Sequence, residues 1–94
     1  MFYAWDLQKA IINYEKHWVP FEEAVTVFSD PEGLEWEDLQ HSHAEKRLKR
    51  VGTSIEGRVL LIVYTVRRKK DGKETIRIIS ARQASRKERE KYSG

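Results

Sequence analysis

Hydrophobic residues in the first third of the chain recur every three or four positions, the spacing of a helix face, and from Lys46 onward the pattern turns to that of strands. Phe2-Tyr3-Ala4-Trp5 predicts a short strand, and Asp6 stands where an N-cap oxygen would satisfy free backbone N–H groups. Leu7, Ala10, Ile11, Tyr14 and Trp18 then form one apolar stripe at helical spacing, with Trp5 placed to staple onto Ala10. Pro20 ends this segment and opens a second helix, whose face is Phe21, Ala24, Val25 and Phe28, with Glu22 and Glu23 at the positive end of its dipole. Asp30-Pro31-Glu32-Gly33 is a turn, and Leu34 to Leu39 reads as a short edge strand.

Three strands follow, Arg47 to Ser54, Arg58 to Arg68 and Glu74 to Arg82, separated by Glu56-Gly57 and Asp71-Gly72, both signatures of two-residue hairpin turns. Ser85 caps a short basic helix that runs to Tyr92. The order predicts one α+β domain over residues 1–94: an N-terminal strand and two helices packed on a small antiparallel sheet, with a short C-terminal helix. Two-residue turns would pair Val66 with both Arg77 and Arg47, placing the two arginines in one row, roughly 10 Å apart. Lys49 then shares their face, while Arg50 and Arg82 lie on the other; a one-residue slip would exchange the faces. Guanidiniums at this spacing suit successive phosphates, because the planar fork makes bidentate, charge-assisted bonds. The competing reading is that they only keep a strand face solvated.

An apolar content of 39% of the chain, with aromatic residues making up 11% of the chain, excludes wholesale disorder. With no cysteine there is neither a disulfide framework nor a thiolate metal site. The longest apolar run, Val59 to Val66, falls far short of the roughly 20 residues of a membrane span, and the N-terminus lacks a secretory pattern, so a cytoplasmic location is expected. The net charge of +3 hides an asymmetry: Met1 to Glu45 has two bases and ten acids, whereas Lys46 to Gly94 has sixteen bases and five acids. A basic half facing an anionic partner accounts for this, as do salt bridges between the halves.

Of the three histidines, His41 and His43 form a His-x-His pair, too thin for a metal site without further ligands; no metal and no cofactor are expected. Metal-free RNA cleavage needs only a base, a proton donor and cations around the phosphorane formed when the 2′-hydroxyl attacks its own phosphate. Lys16-His17, at the end of the first helix, and His41, ahead of the basic strands, are candidates for the proton steps. His17 also fits a plain helix C-terminal role. Trp36 or Tyr92 would serve to stack bases, or else to fill the core.

The ordered set Trp5-Asp6, Lys9, Asn13, Lys16-His17, Phe21-Glu22-Glu23-Ala24, Val27-Phe28 and Asp30-Pro31 resembles the N-terminal half of the BrnT family of type II toxins. His41-Ser42, Glu45, Arg47, Gly52, Ser54, Gly57-Arg58, Thr65, Arg67, the run Arg77 to Arg82, Glu88 and Tyr92 continue the likeness over nearly the whole chain. Trp18-Val19-Pro20 departs from it, since members more often carry a glycine and a serine cap there. The resemblance implies a RelE-like fold, a toxin that arrests translation by cleaving RNA, and a BrnA-like ribbon-helix-helix antitoxin that binds DNA and neutralises it in a hetero-oligomer; with the lack of a metal-ligand set, the expected activity is that of a metal-independent endoribonuclease. Likeness to the wider RelE-type group implies active-site roles for Arg82 and Tyr92. Joined to the reading of the residues, the expected catalytic set is Lys16, His17, Arg47, Arg77, Arg82 and Tyr92, with Lys49, Arg58 and Arg67 binding RNA. The alternative is a non-catalytic module that binds nucleic acid or an acidic antitoxin segment.

Overall fold

The computed structural model describes residues 2–93, and its element order follows the hydrophobic pattern closely. Strand β1 (Phe2–Trp5) leads into α1 (Leu7–His17) and α2 (Phe21–Val25), and a 3-10 turn over Thr26–Ser29 precedes β2 (Leu34–Glu37). A second 3-10 turn, Leu39–His41, leads to β3 (Leu48–Thr53), β4 (Val59–Arg68), β5 (Glu74–Gln83) and α3 (Arg86–Ser93). Asp6 caps α1 by accepting from the Lys9 N–H at 3.1 Å. Ser85 and Glu88 form a reciprocal capping box at the start of α3.

The sheet has the order β1-β5-β4-β3-β2 and is mixed rather than antiparallel throughout, because β1 pairs parallel with β5. The chain leaves β1 through two helices and re-enters the sheet at the opposite edge, and a crossover permits parallel pairing where a hairpin does not. One face carries the main core: Val19, Phe21, Ala24 and Val27 pack on Leu60, Ile62, Tyr64, Ile76, Ile78 and Ala81. Trp5 against Phe21 and Phe28 against Tyr64 close its rim edge-on.

Both hairpins turn on three residues, not two. Ser54 N donates to Arg58 O and Gly57 N to Ser54 O; Lys69, Gly72 and Lys73 repeat the pattern, with Gly57 and Gly72 at φ of 83° and 84°. This is a type I turn closed by a left-handed residue, which glycine adopts without steric cost. The odd loop length slips each register by one, so Thr65, not Val66, stands opposite Arg77. A second departure is a β-bulge: Val63 pairs with Ser80 and Tyr64 with Ile78, leaving Ile79 unpaired. The extra residue returns Arg82 to the face that bears Arg77 and Lys49, correcting the expectation that it lies opposite. Arg50 does lie opposite, bonded to the Val27 and Asp30 carbonyls and to Glu35.

Helix α1 is docked by a polar residue. Among the described residues strand β1 pairs with Thr75 to Ile78, and the edge of β5 beyond has no strand partner. Buried Asn13 fills that gap: its amide donates to Ala81 O at 2.8 Å and Val19 O at 3.2 Å, and its carbonyl accepts from Ala81 N at 3.1 Å. Ala10 is half-buried with it, but the Leu7, Ile11, Tyr14 and Trp18 stripe is left exposed. On the second face of the sheet α3 lies against β3, held by Tyr92 through Thr53 and Asp30 and by Lys91 over the Trp36 ring at 4.3 Å. Val51 and Leu61 are buried at this end.

Candidate active site

The end of the second face that α3 leaves open holds two adjoining hollows, of about 350 Å³ and 260 Å³, which share His41, Arg47 and Ile79. Thr65 forms the floor of the larger one. Arg77 pairs with it from β5, and Arg47, one residue before the Leu48–Tyr64 pair, flanks it from the β3 side. Arg47 and Arg77 thus remain two strand spacings apart, roughly 10 Å, because both hairpins slip by one in the same sense. Among the described residues neither has a carboxylate partner at ion-pair distance. Thr65 is 2% exposed, and its Oγ1 is the one buried side-chain polar atom without a hydrogen-bond partner among the described residues.

Lys9 of α1 and the segment His41 to Glu45 wall this hollow. Ser42 fixes the segment: its hydroxyl donates to Asp38 O at 2.7 Å and accepts from Arg47 N at 3.0 Å, while Asp38 N donates to Arg47 O. The Asp38 side chain, 9% exposed, meets His41 Nδ1 at 2.8 Å and Lys49 Nζ at 3.8 Å. Burial opposes its charge, but the His41 bond and the field of Lys49 win and hold its carboxyl below the usual range. A carboxylate at Nδ1 selects the ring form protonated there and leaves Nε2 for substrate. Glu45 is bonded by both oxygens to Arg67, and that bond, with the fields of Arg77 and Arg47, keeps its carboxyl ionised below the ordinary value.

In the smaller hollow Arg82 and Lys49 stand beside His41 and Arg47. Glu88 grips Arg82 through two bonds of 2.8 and 2.9 Å and accepts from Ser85 N, so the α3 cap also orients this guanidinium. Burial works against the Glu88 charge, yet the bonds from Arg82 and Ser85 outweigh it and lower its pKa.

The expected residues therefore divide. Arg47 and Arg77 meet in the larger hollow, Lys49 and Arg82 in the smaller, and Arg67 lines the larger one through its pair with Glu45. Lys16 and His17 sit at the C-terminal end of α1 and line neither. Arg58 is elsewhere: it binds the buried Glu23 carboxylate and the Trp18 carbonyl, tying α2 and the end of α1 to the β3–β4 loop. Tyr92 is half-buried and holds α3 in place, and its bond to Asp30 raises its pKa. Lys9, Asp38, Glu45 and Thr65 were not singled out for chemistry. For Glu45 a signal existed, since His41, His43, Glu45, Arg47 and Lys49 alternate along the chain into β3. Five ion pairs, Lys46–Glu37, Lys49–Asp38, Arg50–Glu35, Arg58–Glu23 and Arg67–Glu45, join the basic half to the acidic one, so part of the charge asymmetry is internal.

A crystal structure of the Brucella abortus ribonuclease toxin BrnT superposes on the chain with a TM-score of 0.65, covering 92% of this chain and all of that one at 20% identity. At that identity the likeness speaks for the fold. No curated protein matches by sequence. The family described as "Ribonuclease toxin, BrnT, of type II toxin-antitoxin system" matches residues 5–88, which takes in every element from the end of β1 into α3. The chain belongs to the BrnT family of ribonuclease toxins of type II toxin–antitoxin systems.

Proposed function

We propose that the chain is a metal-independent endoribonuclease that works from the cleft around Thr65 and arrests translation by cutting RNA in the cytoplasm. The observation that carries this reading is the row Arg47, Thr65, Arg77: two guanidiniums without carboxylate partners on either side of an unpaired hydroxyl, with His41 and Glu45 in the wall. A phosphate seated between the arginines receives their N–H bonds, and the cleft wall must shift on its approach for the buried Thr65 Oγ1 to donate one more. The adjacent 2′-oxygen attacks phosphorus, the bond from phosphorus to the 5′-oxygen breaks, and the product is a 2′,3′-cyclic phosphate with a free 5′-hydroxyl. The 2′-hydroxyl gives up one proton and the 5′-oxygen gains one, and His41, with Nε2 turned to substrate, is the cleft group suited to carry them, while Glu45 stays ionised on Arg67. Arg47, Arg77 and Lys9 offset the charge that builds on the phosphorane.

Of the residues expected from the sequence, Arg47 and Arg77 keep a catalytic role, Arg82 and Lys49 bind the neighbouring phosphate, and Arg67 positions Glu45. The cleft gives Lys16, His17, Arg58 and Tyr92 no contact with RNA in this reading. A ribbon-helix-helix antitoxin neutralises the toxin by covering part of the sheet that bears Arg47 and Arg77. Cleavage of a short RNA under single-turnover conditions is the test. Equal rates with and without EDTA are expected, and loss of activity to EDTA with recovery on adding magnesium overturns the reading. Full cleavage by toxin saturated with antitoxin overturns the proposed mode of neutralisation.

A further inference from the structure

The apolar stripe of α1 has no partner among the described residues. Leu7 and Trp18 are 68% and 69% exposed, Ile11 and Tyr14 45% each, and the stripe runs into a groove lined by Pro20 and by Ile55, itself 78% exposed. Side chains at positions 7, 11, 14 and 18 stand one above another along a helix, and Tyr14 packs edge-on against Trp18. Scattered exposed apolar residues need no explanation, but a contiguous row leading into a groove marks an interaction surface. Trp18 adds a second observation. It is the one residue other than glycine with positive φ among those described, at 60°, at a helix end where glycine is the unstrained choice. The largest side chain occupies the position least suited to it, and its ring points away from the core.

Charge narrows the occupant. Glu22 and Glu56 line the groove and Glu15 flanks the stripe, all exposed and none paired with a base at ion-pair distance among the described residues. Glu23, the remaining acid, is already neutralised by Arg58. Lys9 and Lys16 project from the opposite flank of α1. A second copy docked about a two-fold axis would set these unpaired glutamates against themselves. A different protein with apolar residues at helical spacing and lysine or arginine beside them has the complementary chemistry.

We infer that the α1 stripe and the Trp18 groove are the anchoring surface for the antitoxin, which presents to it an amphipathic helix with a basic margin. The inference rests on the antitoxin partnership and adds a second contact, separate from the one that closes the cleft. Trp18 is the central anchor, as large buried aromatics are in protein interfaces.

The test uses the full toxin and the antitoxin purified from their co-expressed complex. Trp18→Gly removes the ring and relieves the left-handed strain, and Glu22→Lys with Glu56→Lys reverses the rim. The first is expected to melt no lower than wild type and to cleave RNA at the wild-type rate, while antitoxin affinity falls at least 30-fold. The charge reversal is expected to weaken binding about tenfold at low salt and less at high salt. Affinities within threefold of wild type for both variants overturn the inference. So does a wild-type dimer that Trp18→Gly dissolves while antitoxin affinity stays unchanged, since the face then joins two copies. An antitoxin that fails to bind wild-type toxin overturns the partnership itself, and the inference with it.

Discussion

Replacing Thr65 by valine preserves the shape of the side chain and removes its hydroxyl. In the free protein that hydroxyl is buried without a partner at the cleft floor, and leaving a polar group so costs about 1–3 kcal/mol. Valine is therefore expected to stabilise the protein by about 1 kcal/mol, a rise in Tm of roughly 4–8 °C for a domain of this size. When RNA is bound the same hydroxyl donates to a phosphate oxygen, a charge-assisted bond worth about 1.5–3 kcal/mol. Its loss is expected to lower kcat/KM by about 10- to 150-fold. Stability and activity thus move in opposite directions, which a merely structural role does not produce. Thermal melts and single-turnover cleavage of a short RNA read the two effects, and Thr65→Ser, which keeps the hydroxyl, is expected to restore most of the rate. A Thr65→Val protein that cleaves at the wild-type rate, or one that loses rate and stability together, refutes the reasoning.

Arg77→Ala and Arg47→Ala are each expected to reduce RNA affinity and to lessen the dependence of binding on salt by about one counterion, measured by titration at several salt concentrations. His41→Gln is expected to slow cleavage by roughly 10²-fold, whereas Lys16→Gln and His17→Gln leave the rate near wild type; the reverse pattern in single-turnover assays returns the proton steps to α1. Glu23 is held below its usual pKa chiefly by the Arg58 bond, aided by Ser54 and opposed by burial, so its contribution is present above the unfolded value near 4.3 and disappears as pH falls through the lower folded value. Glu23→Gln is expected to cost about 2 kcal/mol at pH 7 and to lose less stability than wild type on acidification, as followed by denaturant melts between pH 7 and pH 3.

Local chemistry made the elements legible. Asp6, Pro20, the Asp30 to Gly33 turn, the two glycine turns and the Ser85 cap each satisfy or break backbone bonds within a few residues, so their effects are written next to them in the chain. The pairing of Arg47 with Arg77 across one central strand residue was legible too, but only because two equal slips cancel. Whether a glycine turn spans two residues or three depends on the strands it joins, and the bulge at Ile79 has no signature in the residues beside it. That single unpaired residue carries Arg82 to the cleft, and only the assembled sheet decides it. The same holds for α1. Its periodicity identifies a helix, but which side faces inward was set by an unpaired stretch of β5, whose backbone groups needed the Asn13 amide more than the core needed the apolar stripe. Thr65 is the clearest case: nothing in its neighbours marks a hydroxyl as unpartnered, because the lack of a partner is a property of everything folded around it.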